Sequence, residues 1–169
     1  MAVSAPALLE LDLQFGRAIR ADQFALSRAR IKRLISAALP AGCLSAKITL
    51  RVVGNAESQA LNTDYRGKAK PTNILTFVYS APPAMHADLL LCLPVCRSEA
   101  KAQHKALDHH LAHMVLHGTL HACGLDHEND ADAAAMEALE RSLLKRFRIP
   151  DPYIYGKIRA SKLPMLLHE

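Results

Sequence analysis

The segments Asn-Ile-Leu-Thr-Phe-Val-Tyr at residues 73–79 and Asp-Leu-Leu-Leu-Cys-Leu at residues 88–93 predict two neighbouring β-strands. Apolar residues fill nearly every position of both segments instead of alternate ones, which is typical of strands that are buried on both faces of a sheet. Pro82 and Pro83 mark the connection between the two strands. The chain is therefore expected to contain a sheet that is covered by helices.

Two further strands and four helices are predicted around this pair. Residues 8–15 and 47–53 show strand patterns, and apolar side chains spaced at a helical period predict the helices. The predicted helices are residues 23–39, with Asp22 as the N-cap, and residues 56–65, 99–122 and 131–147. The order is β-α-β-α-β-β-α-α, so the predicted fold class is α/β (α+β mixed), with a single mixed β-sheet covered by helices.

Length and composition indicate one domain. A chain of 169 residues suits one hydrophobic core, and we predict a single domain at residues 1–153 and a basic C-terminal tail at residues 154–169. Apolar residues make up 50% of the chain, which excludes a disordered protein. No apolar run reaches the roughly 20 residues needed to cross a bilayer, and no signal peptide is recognised. A cytoplasmic location without a membrane partner is therefore expected, and the net charge of +5 favours an anionic partner such as RNA.

Histidines are concentrated in one region: seven of the nine lie within or shortly before residues 117–127, which read His-Gly-Thr-Leu-His-Ala-Cys-Gly-Leu-Asp-His. His117 and His121 are four residues apart, so they share one helix face and can bind the same ion. Gly124 is expected to end the helix and to turn His127 back toward that ion. Three neutral imidazoles leave the fourth position of a tetrahedral zinc ion to water, as in catalytic zinc sites.

Other residues of this region support alternative interpretations. His113 lies one turn before His117 and is either a rival ligand or a group that supports a ligand. Asp126 either orients a ligating histidine or caps the turn. Three more histidines are interpreted as surface residues: His104, His109 and His110.

The residue after the first histidine argues against a protease. Zinc proteases with the same histidine spacing, HExxHxxGxxH, carry a glutamate at that position as the general base. Gly118 stands there in this chain. Proteolysis by the usual zinc-protease mechanism therefore lacks its base.

Residues 117–127 resemble the signature H-G-x-L-H-x-x-G-x-D-H of the YbeY family of rRNA maturation factors. Further matches extend the resemblance from about residue 8 to residue 153. They are Leu-Asn-Thr-Asp-Tyr-Arg at 61–66 with Pro-Thr-Asn-Ile-Leu-Thr-Phe at 71–77, Asp-Leu-Leu at 88–90 with Cys92, Met136 and Glu137 with Glu140, and Asp-Pro-Tyr at 151–153. The chain departs from the family pattern at three positions outside the predicted ligands: Thr76, Ala87 and Leu125.

The resemblance implies the residues of the site. One zinc ion (Zn2+) per chain is implied, with three ligands: His117, His121 and His127. Catalytic roles are implied for His117 and Arg66, because zinc can polarise a phosphoryl oxygen while an arginine grips the phosphate and stabilises the charge of the transition state. Lys68 and Lys70, in the same basic loop as Arg66, are expected to attract the RNA backbone.

The resemblance also implies the biological role. The implied function is a single-strand-specific, zinc-dependent endoribonuclease in 3′-end maturation of small-subunit rRNA, rRNA processing and ribosome quality control. Single strands suit a compact metal cleft, which admits a splayed phosphodiester more easily than a regular helix. The implied partners are single-stranded rRNA, the small ribosomal subunit with one of its platform proteins, and the Era GTPase.

Two other functions stay open on the sequence alone. A non-catalytic ribosome assembly factor with a structural metal is favoured by the lack of a clear general base, since Asp88 is interpreted as a residue that stabilises the fold. The open fourth ligand position argues against it. A metal-dependent hydrolase of another ester or amide is the third possibility, and the basic loop around Arg66 weighs against it.

Overall fold

The computed structural model describes residues 5–125 and 128–154, and four strands in these ranges form one mixed sheet. The strands are β1 (Leu8–Phe15), β2 (Ser45–Val53), β3 (Ile74–Ser80) and β4 (Ala84–Cys92), arranged in the order β1-β2-β4-β3. β2 runs parallel to both β1 and β4, whereas β3 is antiparallel to β4 and forms an edge of the sheet. The predicted α/β fold with one mixed sheet is confirmed.

Five α-helices accompany the sheet within the described residues. They are α1 (Arg28–Ala38), α2 (Asn55–Arg66), α3 (Leu93–Ala102), α4 (Leu107–Ala122) and α5 (Asp130–Arg146). The described part of the chain contains no helix long and apolar enough to cross a membrane. The predicted basic tail lies outside the described residues apart from residue 154.

The single helix predicted over residues 99–122 is wrong, because this stretch forms two helices. α3 ends at Ala102, and His104 adopts a left-handed backbone conformation with φ 53°. A left-handed residue cannot continue a right-handed helix, so the chain turns before α4 begins. The turn is closed by a hydrogen bond from the Lys105 amide to the Ala100 carbonyl at 2.9 Å. The turn makes α4 a separate helix, and α4 carries His117 and His121.

The first helix also begins later than predicted. Asp22 lies in a short 3-10 helix (Ala21–Gln23), and the N-cap of α1 is Ser27, whose side chain accepts a hydrogen bond from the Arg30 amide. Aspartate and serine are both good N-caps, so the local sequence does not indicate which of Asp22 and Ser27 begins the helix.

The main core lies between one face of the sheet and the helices α1, α4 and α5. Leu89 and Leu91 of β4 and Leu116 of α4 are fully buried in it. A smaller apolar cluster lies on the opposite face of the sheet, where Leu90 of β4 packs near Leu61 of α2. The prediction of burial on both faces therefore holds for β4. It fails for the end of β3, where Val78 and Tyr79 are exposed at the edge.

This layering determines which parts of α2 and α4 come close to β3. α4 packs against β3 from the main core, and the Thr76 hydroxyl of β3 lies 3.4 Å from the Gly118 carbonyl, to which it donates a hydrogen bond. The last residue of α2, Arg66, precedes the loop that leads into β3. The start of the edge strand β3 therefore lies close to both the end of α2 and the middle of α4.

Candidate active site at an edge of the sheet

A cleft of about 500 Å³ opens at the start of β3. Its walls are Arg66 from α2, residues 72–76 of β3 and the loop before it, and His117 and His121 from α4. The structure thus brings together three of the residues that the sequence predicted for the site, although about fifty positions separate Arg66 from His117. A cation, two imidazoles and backbone groups in one cleft suit the binding of a phosphate.

The two cleft histidines are held by the geometry of α4. His117 and His121 are one turn apart, and their ring centroids are 5.1 Å apart. α4 ends at Ala122, and Gly124 follows in the left-handed conformation with φ +96°, which places the predicted turn directly after the helix. His127 and Asp126 lie outside the described residues, so the third ligand stays a prediction.

The carboxylate that contacts His117 and His113 was not predicted from the sequence. Glu140 of α5 has no exposed surface, and its Oε1 accepts a hydrogen bond from His117 Nδ1. Its Oε2 accepts one from His113 Nε2 at 2.8 Å and another from the Tyr153 hydroxyl. Three donors from α4 and from the segment after α5 therefore surround one buried carboxylate.

The charge of Glu140 is stabilised by these donors. Burial by itself would raise the pKa of the carboxyl, but the hydrogen bonds from His113 and His117 outweigh burial and hold the pKa well below its usual range. Burial lowers the pKa of His113, and the hydrogen bond to Glu140 opposes this only in part. Burial and the bond to Glu140 both raise the pKa of the Tyr153 hydroxyl. The donors thus favour the charged form of Glu140, whereas burial favours the neutral forms of His113 and Tyr153.

Three side chains in this network could hold a metal ion, since ligand atoms of His113, His117 and Glu140 lie within 4.8 Å of one another. In the structure they are joined directly by hydrogen bonds. Two ligands of one tetrahedral zinc ion would lie about 3.3 Å apart, which is longer than these hydrogen bonds. The group is therefore arranged as a hydrogen-bonded network, and an ion could enter it only if those bonds broke.

The histidine nitrogens that face the cleft could bind a metal ion without breaking these hydrogen bonds. Because His117 donates a hydrogen bond from Nδ1 to Glu140, its Nε2 is the atom through which it would bind an ion. A ligating histidine whose other nitrogen donates to a carboxylate is the usual arrangement in metal sites. His117 and His121 therefore suit a metal ion at the cleft, with Glu140 bonded to the other nitrogen of His117.

A second polar network adjoins the cleft. His110 Nε2 contacts Glu99 Oε2 at 2.7 Å, and Asn73 Nδ2 donates to Glu99 Oε1 at 3.1 Å. Asn73 also lines the cleft. The interpretation of His110 as a surface residue is wrong, because its side chain is 3% exposed. The break between α3 and α4 explains the error, since it lets Glu99 of α3 fold back on His110.

Of the basic residues of the predicted substrate site, Arg66 lines the cleft, whereas Lys68 and Lys70 lie in the loop between Arg66 and the cleft residue Thr72 and are not part of its lining. Arg66, Lys68 and Lys70 are all exposed, and Arg66 has no acidic partner among the described residues. The loop that carries the lysines is anchored by the Asn62 side chain, which donates to the Lys70 carbonyl at 2.8 Å. Asp88, by contrast, accepts a hydrogen bond from Tyr79 at 2.7 Å and does not line the cleft, in agreement with a structural role.

Comparisons with known proteins agree with the resemblance seen in the sequence. A family model described as "Endoribonuclease YbeY" matches residues 18–148. A curated relative of that name from Verminephrobacter eiseniae is 50% identical over 147 residues, covering 86% of this chain and 94% of the relative. Another from Methylibium petroleiphilum is 48% identical over 146 residues, covering 86% and 95%.

A solved structure supports the fold independently. The solution structure of a Thermotoga maritima protein superimposes with a TM-score of 0.56 and covers 90% of this chain and 94% of that chain. Its sequence is only 18% identical, so the likeness is one of fold.

Proposed function

The chain belongs to the YbeY family of endoribonucleases, and from this premise we propose that it is a metal-dependent enzyme that cuts single-stranded rRNA in the cleft at the start of β3. The observation that carries the proposal is the cleft itself, which combines Arg66 of α2 with His117 and His121 of α4. One side of the cleft can hold a metal ion, and the other can hold a phosphate.

The proposed metal is zinc, with His117, His121 and the predicted His127 as ligands. Neutral imidazole nitrogens are suitable zinc ligands, and the bond from His117 to Glu140 directs the second nitrogen of that ring to a ligand role. When bound, zinc would supply Lewis acidity toward a phosphoryl oxygen and make a water molecule more acidic.

Arg66 is proposed to bind the substrate phosphate. Its exposed side chain lines the cleft without an acidic partner among the described residues, so its positive charge is not neutralised there. A guanidinium group donates two parallel hydrogen bonds to a phosphate and stabilises the charge that develops during cleavage. Lys68 and Lys70 lie in the same loop and would attract neighbouring phosphates.

The position of the cleft suits a single strand. The cleft lies at an edge of the sheet, between side chains that come from two helices on different sides of β3. A flexible strand can place one phosphodiester between such walls, whereas an A-form helix keeps its phosphates on a regular surface.

We propose the cytoplasmic role that the family resemblance implies: 3′-end maturation of small-subunit rRNA, rRNA processing and ribosome quality control. Its partners would be the small ribosomal subunit, a platform protein and the Era GTPase.

The experiment is cleavage of a single-stranded RNA that spans the 3′ end of immature small-subunit rRNA. Wild-type protein loaded with zinc is compared with His121→Ala and Arg66→Ala. We expect His121→Ala to lose zinc and cleavage together, and Arg66→Ala to keep zinc but cut poorly. Arg146→Ala is the matched control, because Arg146 is an exposed arginine in the last turn of another helix.

Equal cutting by all variants would contradict the proposal and indicate a contaminating nuclease. The second candidate is the non-catalytic assembly factor, and one observation favours it: the described lining of the cleft contains no carboxylate to act as a general base. This candidate predicts ribosome binding without cleavage by any of the proteins.

A further inference from the structure

We propose that Glu140 is a positioning residue for the metal centre, which holds the His117 ring with its Nδ1 protonated so that Nε2 can bind the ion. We further propose that Tyr153 and His113 hold the carboxylate for this task. The inference rests on the proposed function only in that it concerns the same metal centre. It assigns a role to three residues outside the predicted ligand set.

The burial of Glu140 requires an explanation. A fully buried carboxylate is costly unless it is paired and hydrogen bonded. Glu140 has no exposed surface, yet α5 also carries Glu137, whose side chain is 42% exposed. Three side chains donate hydrogen bonds to the buried carboxylate. His117 lines the cleft, and His113 and Tyr153 hold the carboxylate in place.

The two carboxylate oxygens of Glu140 have different hydrogen-bond partners. Oε1 accepts from His117, whereas Oε2 accepts from both His113 and the Tyr153 hydroxyl. Two donors from different segments therefore fix Oε2, and this fixes the direction in which Oε1 points. The carboxylate is thus oriented before it contacts His117.

The contacts of Glu140 with His113 and His117 indicate which nitrogen of each ring carries the proton. An ionised carboxylate can only accept hydrogen bonds, so both histidines must donate to Glu140. His117 donates through Nδ1, and a neutral ring then presents its lone pair at Nε2. His113 donates through Nε2, and its Nδ1 is buried with no hydrogen-bond partner among the described residues. His113 is therefore placed to support Glu140, while His117 faces the cleft.

The test compares wild-type protein with Glu140→Gln and Tyr153→Phe, and Glu137→Gln serves as the matched control on the same helix. Proton–nitrogen NMR of isotope-labelled histidines reports the tautomer of each ring without metal and with zinc. Competition with a chromophoric chelator reports the zinc affinity. Circular dichroism and thermal melting show whether each variant is folded.

We expect the His117 ring of the metal-free wild type to carry its proton on Nδ1 and to keep it there when zinc binds. Glu140→Gln should give a mixture of tautomers and lower the zinc affinity about 10- to 100-fold. Tyr153→Phe should cause a smaller loss, because the carboxylate stays while one of its supports is removed. Glu137→Gln should match the wild type in both measurements.

Two outcomes would overturn the proposal. If zinc removes the Nδ1 proton of His117 and shifts the His113 resonances as a ligand would, Glu140 and His113 bind the ion directly. If a folded Glu140→Gln variant keeps the wild-type tautomer and affinity, Glu140 has only a structural role. Should Glu140→Gln not fold, Tyr153→Phe decides, and unchanged values in that variant contradict the proposal.

Failure of this proposal is distinguishable from failure of the proposed function. Zinc affinity that falls in Glu140→Gln while the wild type cuts no RNA would support the positioning role and reject the ribonuclease. If the wild type cuts RNA and the zinc affinity of Glu140→Gln equals that of the wild type, the ribonuclease is supported and the positioning role is rejected.

Discussion

Gly118 of α4 lies so close to Ile74 of β3 that a Cβ atom on Gly118 would stand 2.7 Å from Ile74 Cδ1. Carbon atoms at this distance clash, so the glycine allows α4 to approach the edge strand. Ile74 and His117, the residue before Gly118, both line the cleft, so this contact lies in the wall of the cleft. The glycine that replaces the general base of zinc proteases therefore has a packing role here.

The first prediction concerns this contact. Gly118→Ala should lower the free energy of unfolding by about 1 kcal/mol, because overpacking costs about 1–3 kcal/mol and the better helix propensity of alanine returns up to about 1 kcal/mol. Ile74→Val removes the clashing Cδ1 atom, so the double variant should recover part of the loss. Urea denaturation measures the free energy of unfolding of the two single variants and the double variant. If the loss in the double variant equals the sum of the two single losses, the proposed clash is contradicted.

The second prediction concerns the salt dependence of RNA binding. Replacing both Lys68 and Lys70 by alanine should weaken the binding of single-stranded RNA. The slope of log affinity against log salt concentration should become shallower by about 0.7 for each lost phosphate contact. Fluorescence anisotropy over a salt series measures this slope. The double variant Lys145→Ala/Arg146→Ala, at the exposed end of α5, is the control, and an equal change in its slope would show that the loop has no special role.

The third prediction concerns the ligand that lies outside the described residues. His127→Ala should lower zinc affinity about as strongly as His121→Ala, because both remove one of three imidazoles from the ion. His109→Ala should change it little, since His109 does not line the cleft. Chelator competition measures the affinities. If His113→Ala has the large effect and His127→Ala has none, the third ligand is assigned wrongly.

The fourth prediction concerns acid stability. The pKa of Glu140 is lowered in the folded protein, so the unfolded chain binds a proton that the folded carboxylate does not. The stabilisation by this group is present above the usual carboxyl pKa of about 4.5 and is lost as the pH falls toward the lower folded value. The stability advantage of the metal-free wild type over Glu140→Gln should therefore shrink below about pH 4.5.

Urea denaturation between neutral pH and pH 3, in the presence of a chelator, measures this difference. The variant Glu137→Gln shows how much of the change belongs to an exposed carboxylate. If the wild type and Glu140→Gln lose stability in parallel as the pH falls, the carboxylate of Glu140 is not the group responsible.

The predictable part of the site follows from local geometry. His117 and His121 share a helix face because four residues make about one helical turn, whatever the helix packs against. α4 ends at Ala122, and after the C-cap Cys123 the left-handed Gly124 turns the chain, because glycine adopts this conformation at little cost. Residues 8–15 form β1 as predicted, since alternation of apolar side chains is also a local property.

Glu140 shows where a local signal was present but was not used. The residue lies four positions after Met136 and three before Leu143, and both of these are buried. This spacing places Glu140 on the apolar face of α5, whereas the neighbouring Leu139 is 39% exposed. A carboxylate at an apolar position of a helix indicates a buried partner, and this signal could have led to His113 and His117.

The sequence by itself determined the family, the four strands, the spacing of the two cleft histidines and the basic loop, because each depends on neighbouring residues or on a recognisable motif. Only the tertiary structure decided that α3 and α4 are separate helices. It also decided that Arg66 and His117 line one cleft at the start of β3, and that the buried Glu140 contacts His113 and His117. These features depend on contacts between segments far apart in the chain, and their free energy comes from burying surfaces that no single segment contains.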